Sequence, residues 1–246
     1  MSQDWYDLAR YYDVLFGWDP EREVRFLLGA SERYGRGRPE RSFEPFCGSG
    51  RLLPHVPGAI GSDLSPAMLE IARTRAPVFR ADAARLGLAP GSLDFAYCLI
   101  DSFRHLQCEA EGRAHLAAVA RALRPGGVYV LGFDVETGRD PDDTWETWSM
   151  RRGGIEVAAK LYVSSHGPEF EAMHVNLEID DNGRRRELGH VSLLRRWTPS
   201  AVEDAVAAAG FELVACFDRR YDLDTPRPLA TVPGSAVLVL RATVRG

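Results

Sequence analysis

The sequence predicts an α/β fold: a doubly wound, mostly parallel sheet of seven strands, with an antiparallel β insertion and an N-terminal helical cap. From Ser42 onward, short apolar runs alternate with helical patterns and short turns, which is typical of parallel strands covered by helices on both faces. Residues 170–180 instead alternate strictly between apolar and polar side chains, the pattern of a strand with one solvated face. Two helical patterns precede the first strand.

The elements of the predicted main sheet follow one another closely. The strands are expected at residues 42–44, 59–63, 77–80, 93–100, 128–133, 211–217 and 235–242. The helices are expected at 5–16, 21–34, 51–55, 66–75 and 109–123, with one more between Thr198 and Gly210. Ser65 and Pro66 mark one helix start clearly, because serine is a favoured N-cap and proline suits the first helical position.

The chain is interpreted as one domain, residues 1–246. Within it, residues 1–40 form the helical cap and residues 140–197 form the antiparallel insertion. Strands of the insertion are expected at 155–163, 170–180 and 191–197, with a hairpin turn at Asn182-Gly183. An exposed edge strand in such an insertion could pair with a second copy, so the sequence allows a homodimer.

Composition excludes several classes of protein. The net charge of −5 leaves no basic excess to neutralise phosphates, so no nucleic-acid partner is expected. No apolar run approaches the ~20 residues that span a bilayer, so no membrane partner is expected, and nothing reads as a secretory signal. The four cysteines and six histidines show no metal-ligand spacing, so we expect no metal. The scattered cysteines also show no disulfide framework, so we expect a cytoplasmic protein.

Acidic residues stand at or just after the ends of five predicted strands. They are Glu44, Asp63, Asp82, Asp101 and Asp134. Ligands of doubly wound sheets bind beyond the carboxyl ends of the strands, where the strand order reverses. The first of these ends leads into Gly48-Ser49-Gly50, and a glycine turn before a helix brings backbone N–H groups toward a ligand. The sequence therefore predicts a ligand site at this rim.

Taken together, these motifs resemble the class I S-adenosylmethionine-dependent methyltransferases, which are Rossmann-like, and in particular their small-molecule branch. The likeness extends over residues 5–242 and is weakest in the insertion. The matching segments are residues 44–50, 61–69, 81–83, 94–106, 123–127, 197–199 and 209–211. The resemblance implies S-adenosylmethionine as cofactor, a small-molecule methyl acceptor as partner, and an insertion that forms a lid or a wall of the acceptor site.

The resemblance also implies the cofactor contacts. Asp63 is expected to accept hydrogen bonds from both ribose hydroxyls. Asp82 and the Ala83 N–H are expected to bind the adenine. The remaining expected contacts are the apolar walls Leu64 and Met68, the loop residues Glu44, Phe46, Cys47, Gly48, Ser49 and Gly50, and the fourth-strand residues Ile100 and Asp101. One position departs from the family: Phe46 stands where the first glycine of the loop usually is. Its side chain is expected to narrow the pocket near the methionine part of the cofactor.

Methyl transfer from a sulfonium requires no protein nucleophile, so the expected mechanism is alignment and exclusion of water. Such positioning can lower a barrier by ~7–11 kcal/mol. A general base is needed only when an acceptor nitrogen or oxygen arrives protonated, and His105 is the predicted base. The resemblance places Tyr12 over the pocket, where its ring could hold the sulfonium. Trp145 and Trp148 are candidates for the acceptor wall.

The sequence leaves two alternatives to a methyltransferase. A nicotinamide-dependent oxidoreductase would need a third glycine after the loop, whereas Arg51, Leu52 and Leu53 follow Gly50. A protein that binds S-adenosylmethionine without turnover remains the second alternative, because of Phe46. A P-loop nucleotidase is excluded, since the chain lacks Gly-Lys-Ser/Thr at the loop.

Overall fold

The computed structural model describes residues 8–136, 145–232 and 234–243, and these residues form two sheets joined by five helices. The main sheet has the strand order β10-β11-β5-β4-β1-β2-β3. Its strands are β1 (Ser42–Pro45), β2 (Ala59–Asp63), β3 (Val78–Arg80), β4 (Leu93–Cys98), β5 (Leu123–Asp134), β10 (Phe211–Asp218) and β11 (Ser235–Ala242). β1 to β5 pair in parallel, and β11 runs antiparallel to both β5 and β10. The predicted seven-stranded, mostly parallel sheet is confirmed.

Helices cover both faces of this sheet. They are α2 (Glu21–Tyr34), α3 (Pro66–Ala72), α4 (Glu109–Ala122) and α5 (Pro199–Ala208). On one face α2 packs Phe26 and Leu27 into the apolar core, and on the other α4 and α5 contribute Val119 and Val206. The strand order reverses between β1 and β4, so the ligand crevice is expected above these two strands.

The expected helix after the glycine loop is absent, and that prediction was wrong. Residues 51–52 form bends, and only a 3₁₀ turn, Leu53–His55, follows. Proline explains the difference: Pro54 lacks the N–H that would continue the ladder, and Pro57 favours extended backbone at Val56, which has φ −105° and ψ 124°. The next helix, α3, begins as predicted, with Ser65 Oγ accepting a hydrogen bond from the Met68 amide.

The inserted sheet is antiparallel and larger than predicted. Its strands, in order, are β6 (Glu146–Arg152), β7 (Ile155–His166), β8 (Phe170–Asp181) and β9 (Arg184–Arg195). β6 was not predicted, and the last strand of the insertion was expected only from residue 191, whereas β9 begins with Arg184, Arg185 and Arg186. These three arginines are exposed, so the start of β9 lacks the buried apolar residues that mark a strand in the sequence. Residues 140–144 of the predicted insertion lie outside the described residues.

The two N-terminal helices pack against different sheets. α1 (Ala9–Leu15) lies on β6 and β7, where Val14 and Leu15 join the apolar inner face of the inserted sheet. By contrast, α2 packs on β5 and β11 of the main sheet. The start of the predicted first helix, at Trp5, lies outside the described residues. Among the helices that the structure describes, none is long and apolar enough to span a membrane.

Candidate active site

A cavity of about 1820 Å³ separates the carboxyl ends of the main-sheet strands from the inner face of the inserted sheet. Asp63, Asp82, Asp101 and Asp134 line it on one side. Lining the opposite side are Trp148, Met150, Leu161, Val163 and Met173 of the inserted sheet, and α1 adds Tyr12 and Phe16. The sequence alone could not position this second wall, because it comes from another sheet.

The structure brings most of the predicted site residues together around this cavity. Those that line it are Tyr12, Phe46, Gly48, Asp63, Leu64, Met68, Asp82, Ala83, Ile100, Asp101 and His105. Four predicted residues do not line it: Glu44, Cys47, Ser49 and Gly50. Trp148 contributes to the wall as expected, whereas Trp145 does not; its ring packs at a tilt against Tyr162, with ring centroids 4.7 Å apart.

The glycine loop has an unusual backbone. Phe46, Gly48 and Gly50 have φ values of +54°, +54° and +77°, a region that side chains other than glycine rarely adopt. A Cβ on Gly50 would lie 3.1 Å from the Cβ of Ala72, so space as well as conformation requires glycine. Phe46 adopts the left-handed conformation although it is not a glycine. The centroid of its ring lies 5.4 Å from that of the His115 ring.

Asp63 connects this loop to the second strand. Its Oδ2 accepts a hydrogen bond from the Gly48 amide at 2.8 Å, and its Oδ1 accepts one from the Ser65 amide at 2.9 Å. Burial raises the pKa of Asp63, although the amides of Ser65 and Gly48 oppose that shift. Each carboxylate oxygen can accept a second hydrogen bond, so Asp63 fits a pair of neighbouring hydroxyls, as in a ribose.

Next to Asp63 the cavity has an apolar surface and a second carboxylate. Leu64 is 59% exposed and presents an apolar side chain to the cavity, while Met68 is buried. Asp82 accepts a hydrogen bond from the Ala84 amide at 2.9 Å, and its side chain is half exposed. This combination of an exposed leucine, a carboxylate and backbone amides suits a flat base with polar edges.

Glu44 lies in the sheet and not at the cavity surface. It is buried on β1, and its Oε2 has no hydrogen-bond partner among the described residues. Burial raises the pKa of Glu44 well above its usual value, although the nearby Arg51 guanidinium opposes this shift.

A charged cluster around Arg104, which was not predicted from the sequence, also lines the cavity. The Arg104 side chain is 2% exposed; it donates to the Arg195 carbonyl at 2.9 Å and to Asp101 Oδ2 at 3.2 Å, and it pairs with Glu171. Asp101 Oδ1 also accepts the Asp134 amide at 2.9 Å. Burial raises the pKa of Asp101 to about 7, although Arg104 opposes the shift. Residues 104 and 171 are distant in sequence, so no local pattern could have linked them.

An aromatic wall formed by Tyr12, Phe16 and Trp148 lines part of the cavity. Tyr12 stacks on Phe16 with ring centroids 4.2 Å apart, and Phe16 meets Trp148 edge-on at 6.0 Å. Burial raises the pKa of Tyr12, so its hydroxyl is neutral at physiological pH. Aromatic faces attract cations, so this wall suits a sulfonium or an ammonium group. Within the described part of the chain, no three His, Cys, Asp or Glu side chains are placed to hold a metal ion.

Comparisons with known proteins agree with this geometry. Residues 44–127 match the family model described as a methyltransferase domain. The structure of an S-adenosylmethionine-dependent methyltransferase from Clostridium acetobutylicum superposes with a TM-score of 0.77 at 14% identity, covering 98% of this chain and 100% of that one. No curated protein sequence matches the chain.

Two solved structures are more similar in sequence. One is the S-adenosylmethionine-bound CalS10 of Micromonospora echinaspora, described as an amino pentose methyltransferase, with 26% identity, a TM-score of 0.69 and coverage of 99% of this chain and 98% of that one. The other is the sugar N-methyltransferase KedS8 of a Streptoalloteichus species, with 25% identity, a TM-score of 0.73 and coverage of 97% and 93%.

The fold is a Rossmann-like α/β fold with a large cavity at the carboxyl ends of its parallel strands. The chain is an S-adenosylmethionine-dependent methyltransferase whose methyltransferase domain includes residues 44–127, and its cofactor is S-adenosylmethionine. These matches do not support the oxidoreductase or the binding-only alternative.

Proposed function

We propose that the protein methylates an amino group of a small-molecule acceptor, with amino sugars as the first class to test. The observation that carries this proposal is the charge of the cavity end beside the inserted sheet. Four carboxylates line it, Asp101, Asp134, Glu136 and Glu171, and they pair with three arginines, Arg104, Arg196 and Arg219. When Asp101 is ionised, one carboxylate is thus left in excess, which favours a cationic acceptor.

The similar structures support the same class of acceptor. CalS10 is described as acting on an amino pentose and KedS8 as a sugar N-methyltransferase, and both cover nearly the whole chain. The first description names an amino sugar, and the second names a sugar and nitrogen methylation. We therefore expect N-methylation rather than O-methylation in this protein.

The cofactor would be held by residues at the carboxyl ends of the strands. Asp63 fits the ribose hydroxyls, Asp82 and the Ala83 amide fit the adenine, and Leu64 and Met68 would flank it. When bound, S-adenosylmethionine supplies an electrophilic methyl group on a positively charged sulfur. The residues of the chain contribute orientation and the exclusion of water, which together can lower a barrier by about 7–11 kcal/mol.

An amine acceptor arrives as an ammonium ion and must lose a proton before its lone pair is available. His105 remains our proposed general base, and it lines the cavity. Asp101 is a second group that could take this proton, because burial raises its pKa to about 7. We propose that Asp101 acts on the acceptor rather than on the cofactor, since its oxygens lie beside Arg104 and Asp134.

The proposed organisation is a single methyltransferase domain, residues 1–246. Its insertion, 140–197, forms the wall or lid of the acceptor site, because Trp148, Met150 and Met173 line the cavity opposite the strand ends. The cap at 1–40, the homodimer, the cytoplasmic location and the absence of nucleic-acid and membrane partners remain predictions.

The test uses S-adenosylmethionine with an isotopically labelled methyl group and pairs of sugars that differ only in an amino or a hydroxyl group at one ring carbon. Each pair is offered as the free sugar and as an activated glycoside. We expect label to transfer to amino members and not to their hydroxyl partners. Equal transfer to hydroxyl partners would overturn the proposal. Asp101→Asn should slow transfer while leaving calorimetric cofactor affinity within twofold of the wild type.

A further inference from the structure

A buried carboxylate on α1 joins the cofactor loop to the inserted sheet. The Asp13 side chain is 8% exposed and pairs with two arginines from different parts of the chain. Arg75, just beyond α3, donates from both terminal nitrogens, at 2.7 Å to Oδ1 and 2.9 Å to Oδ2. Arg152, the last residue of β6, donates to Oδ2. Hydrogen bonds from Arg75, Ser49 and Arg152 outweigh the effect of burial and lower the pKa of Asp13, so it is ionised at neutral pH.

Arg75 carries this connection into the glycine loop. The nitrogen that pairs with Asp13 Oδ1 also donates to the Ser49 carbonyl at 2.9 Å and contacts Ser49 Oγ at 3.3 Å. Ser49 is buried between Gly48 and Gly50, both with positive φ. Ser49 does not line the cavity, so its importance lies in holding its neighbours.

Residues flanking Asp13 attach α1 on two sides. On one side, Tyr12 Cε1 lies 3.7 Å from the position that a Cβ on Gly48 would occupy, so α1 packs directly on the loop. On the other, the Tyr11 hydroxyl donates to Asp181 Oδ2 at 2.9 Å, at the end of β8. α1 is therefore held by the inserted sheet and the cofactor loop together, with Asp13 between them.

We infer that Asp13 is a positioning residue that holds the glycine loop in its cofactor-binding conformation through Arg75 and, through Arg152, makes cofactor affinity depend on the inserted sheet. Bidentate arginine–carboxylate pairs are directional, so they fix the relative position of the groups they join. The loop needs such a restraint because Phe46 lies in a conformation that costs a side chain energy. Removing Asp13 would also leave two guanidinium groups without their carboxylate, and Arg75 is largely buried.

This inference rests on the cofactor and not on the acceptor, so it is tested independently of the proposed amine chemistry. The probes are S-adenosylmethionine and S-adenosylhomocysteine, titrated calorimetrically into the folded protein at least 15 °C below each variant's Tm. The variants are Asp13→Asn, Arg75→Met, Arg75→Lys and Arg152→Met. The matched control is Arg151→Met, a neighbour on β6 that is 72% exposed and pairs with Glu156 within the inserted sheet.

We expect Asp13→Asn and Arg75→Met to raise the Kd at least tenfold, with partial recovery in Arg75→Lys, and Arg152→Met to raise it about threefold. Arg151→Met should bind as the wild type does. A Kd within twofold of the wild type in both Arg75→Met and Arg152→Met would overturn the inference. If Asp13→Asn does not fold, the Kd values of Arg152→Met, at a half-exposed position, and of the conservative Arg75→Lys test the inference in its place.

Discussion

Asp63 and Gly48 are joined by a hydrogen bond of 2.8 Å from the Gly48 amide to the Asp63 carboxylate. The end of β2 thereby holds the loop that follows β1, while the other carboxylate oxygen accepts the Ser65 amide at the start of α3. The same carboxylate lines the cavity. One side chain thus contacts the glycine loop, the start of the next helix and the cavity.

We expect Asp63→Ala to weaken S-adenosylmethionine binding by roughly 100-fold or more. The reason is the loss of two charge-assisted hydrogen bonds, each worth about 1.5–3 kcal/mol. Calorimetric titration with S-adenosylmethionine, its demethylated product and NADPH measures this, and NADPH should not bind the wild type. Unchanged affinity in the variant would remove Asp63 from the cofactor site.

Substituting Phe46 should separate backbone strain from packing. Phe46→Ala and Phe46→Gly lose the same ring contacts, but only glycine adopts the φ of +54° without strain. We expect the glycine variant to be more stable than the alanine variant by about 1 kcal/mol in denaturant unfolding. Greater stability of the alanine variant would mean that the loop changes conformation when the ring is removed.

His115 should make the protein less stable in acid. It is fully buried, its Nδ1 lies 3.0 Å from the Ala83 carbonyl and its Nε2 2.9 Å from the Tyr129 hydroxyl. Because a carbonyl only accepts, Nδ1 carries the proton and the ring is neutral. Burial lowers its pKa from 6.5 to about 4.

The unfolded chain therefore binds a proton at His115 between these values that the folded chain does not. The free energy of unfolding of the wild type should fall, relative to His115→Gln, by up to about 3 kcal/mol from pH 7 to pH 4. Denaturant unfolding across this pH range measures it. The exposed His166→Gln is the control and should follow the wild type; parallel curves for all three proteins would contradict the prediction.

Removing Arg104 should be strongly destabilising. Its buried guanidinium pairs with Asp101 and Glu171 and lies 3.7 Å from Asp134, so Arg104→Met leaves three carboxylates without that partner. We expect a loss of about 3–5 kcal/mol in denaturant unfolding. Arg113→Met breaks an exposed pair with Glu109 on α4 and should cost no more than about 0.5 kcal/mol. Similar losses in the two variants would show that burial of Arg104 does not matter.

The sequence by itself determined the order of strands and helices and the acidic strand ends. These depend on local periodicity, turn chemistry and capping, as at Ser65 and Pro66, where the side chain and its backbone partner lie three residues apart. The resemblance to the methyltransferase family added the cofactor and the candidate contacts, and nine of those contacts and the two catalytic candidates line one cavity. The helix predicted after Gly50 was wrong, because Pro54 and Pro57 prevent a regular helix there and leave only a 3₁₀ turn.

Only the tertiary structure decided how the two sheets face each other across the cavity. Asp13 is 62 residues from Arg75 and 139 from Arg152, and Arg104 is 67 from Glu171. No periodicity relates residues so far apart, because their contacts exist only once α1 has packed on the inserted sheet and that sheet on the strand ends. The cavity wall formed by the inserted sheet and the support of the glycine loop therefore depend on the packing, whereas the acidic residues at the strand ends follow from the order of the strands in the sequence.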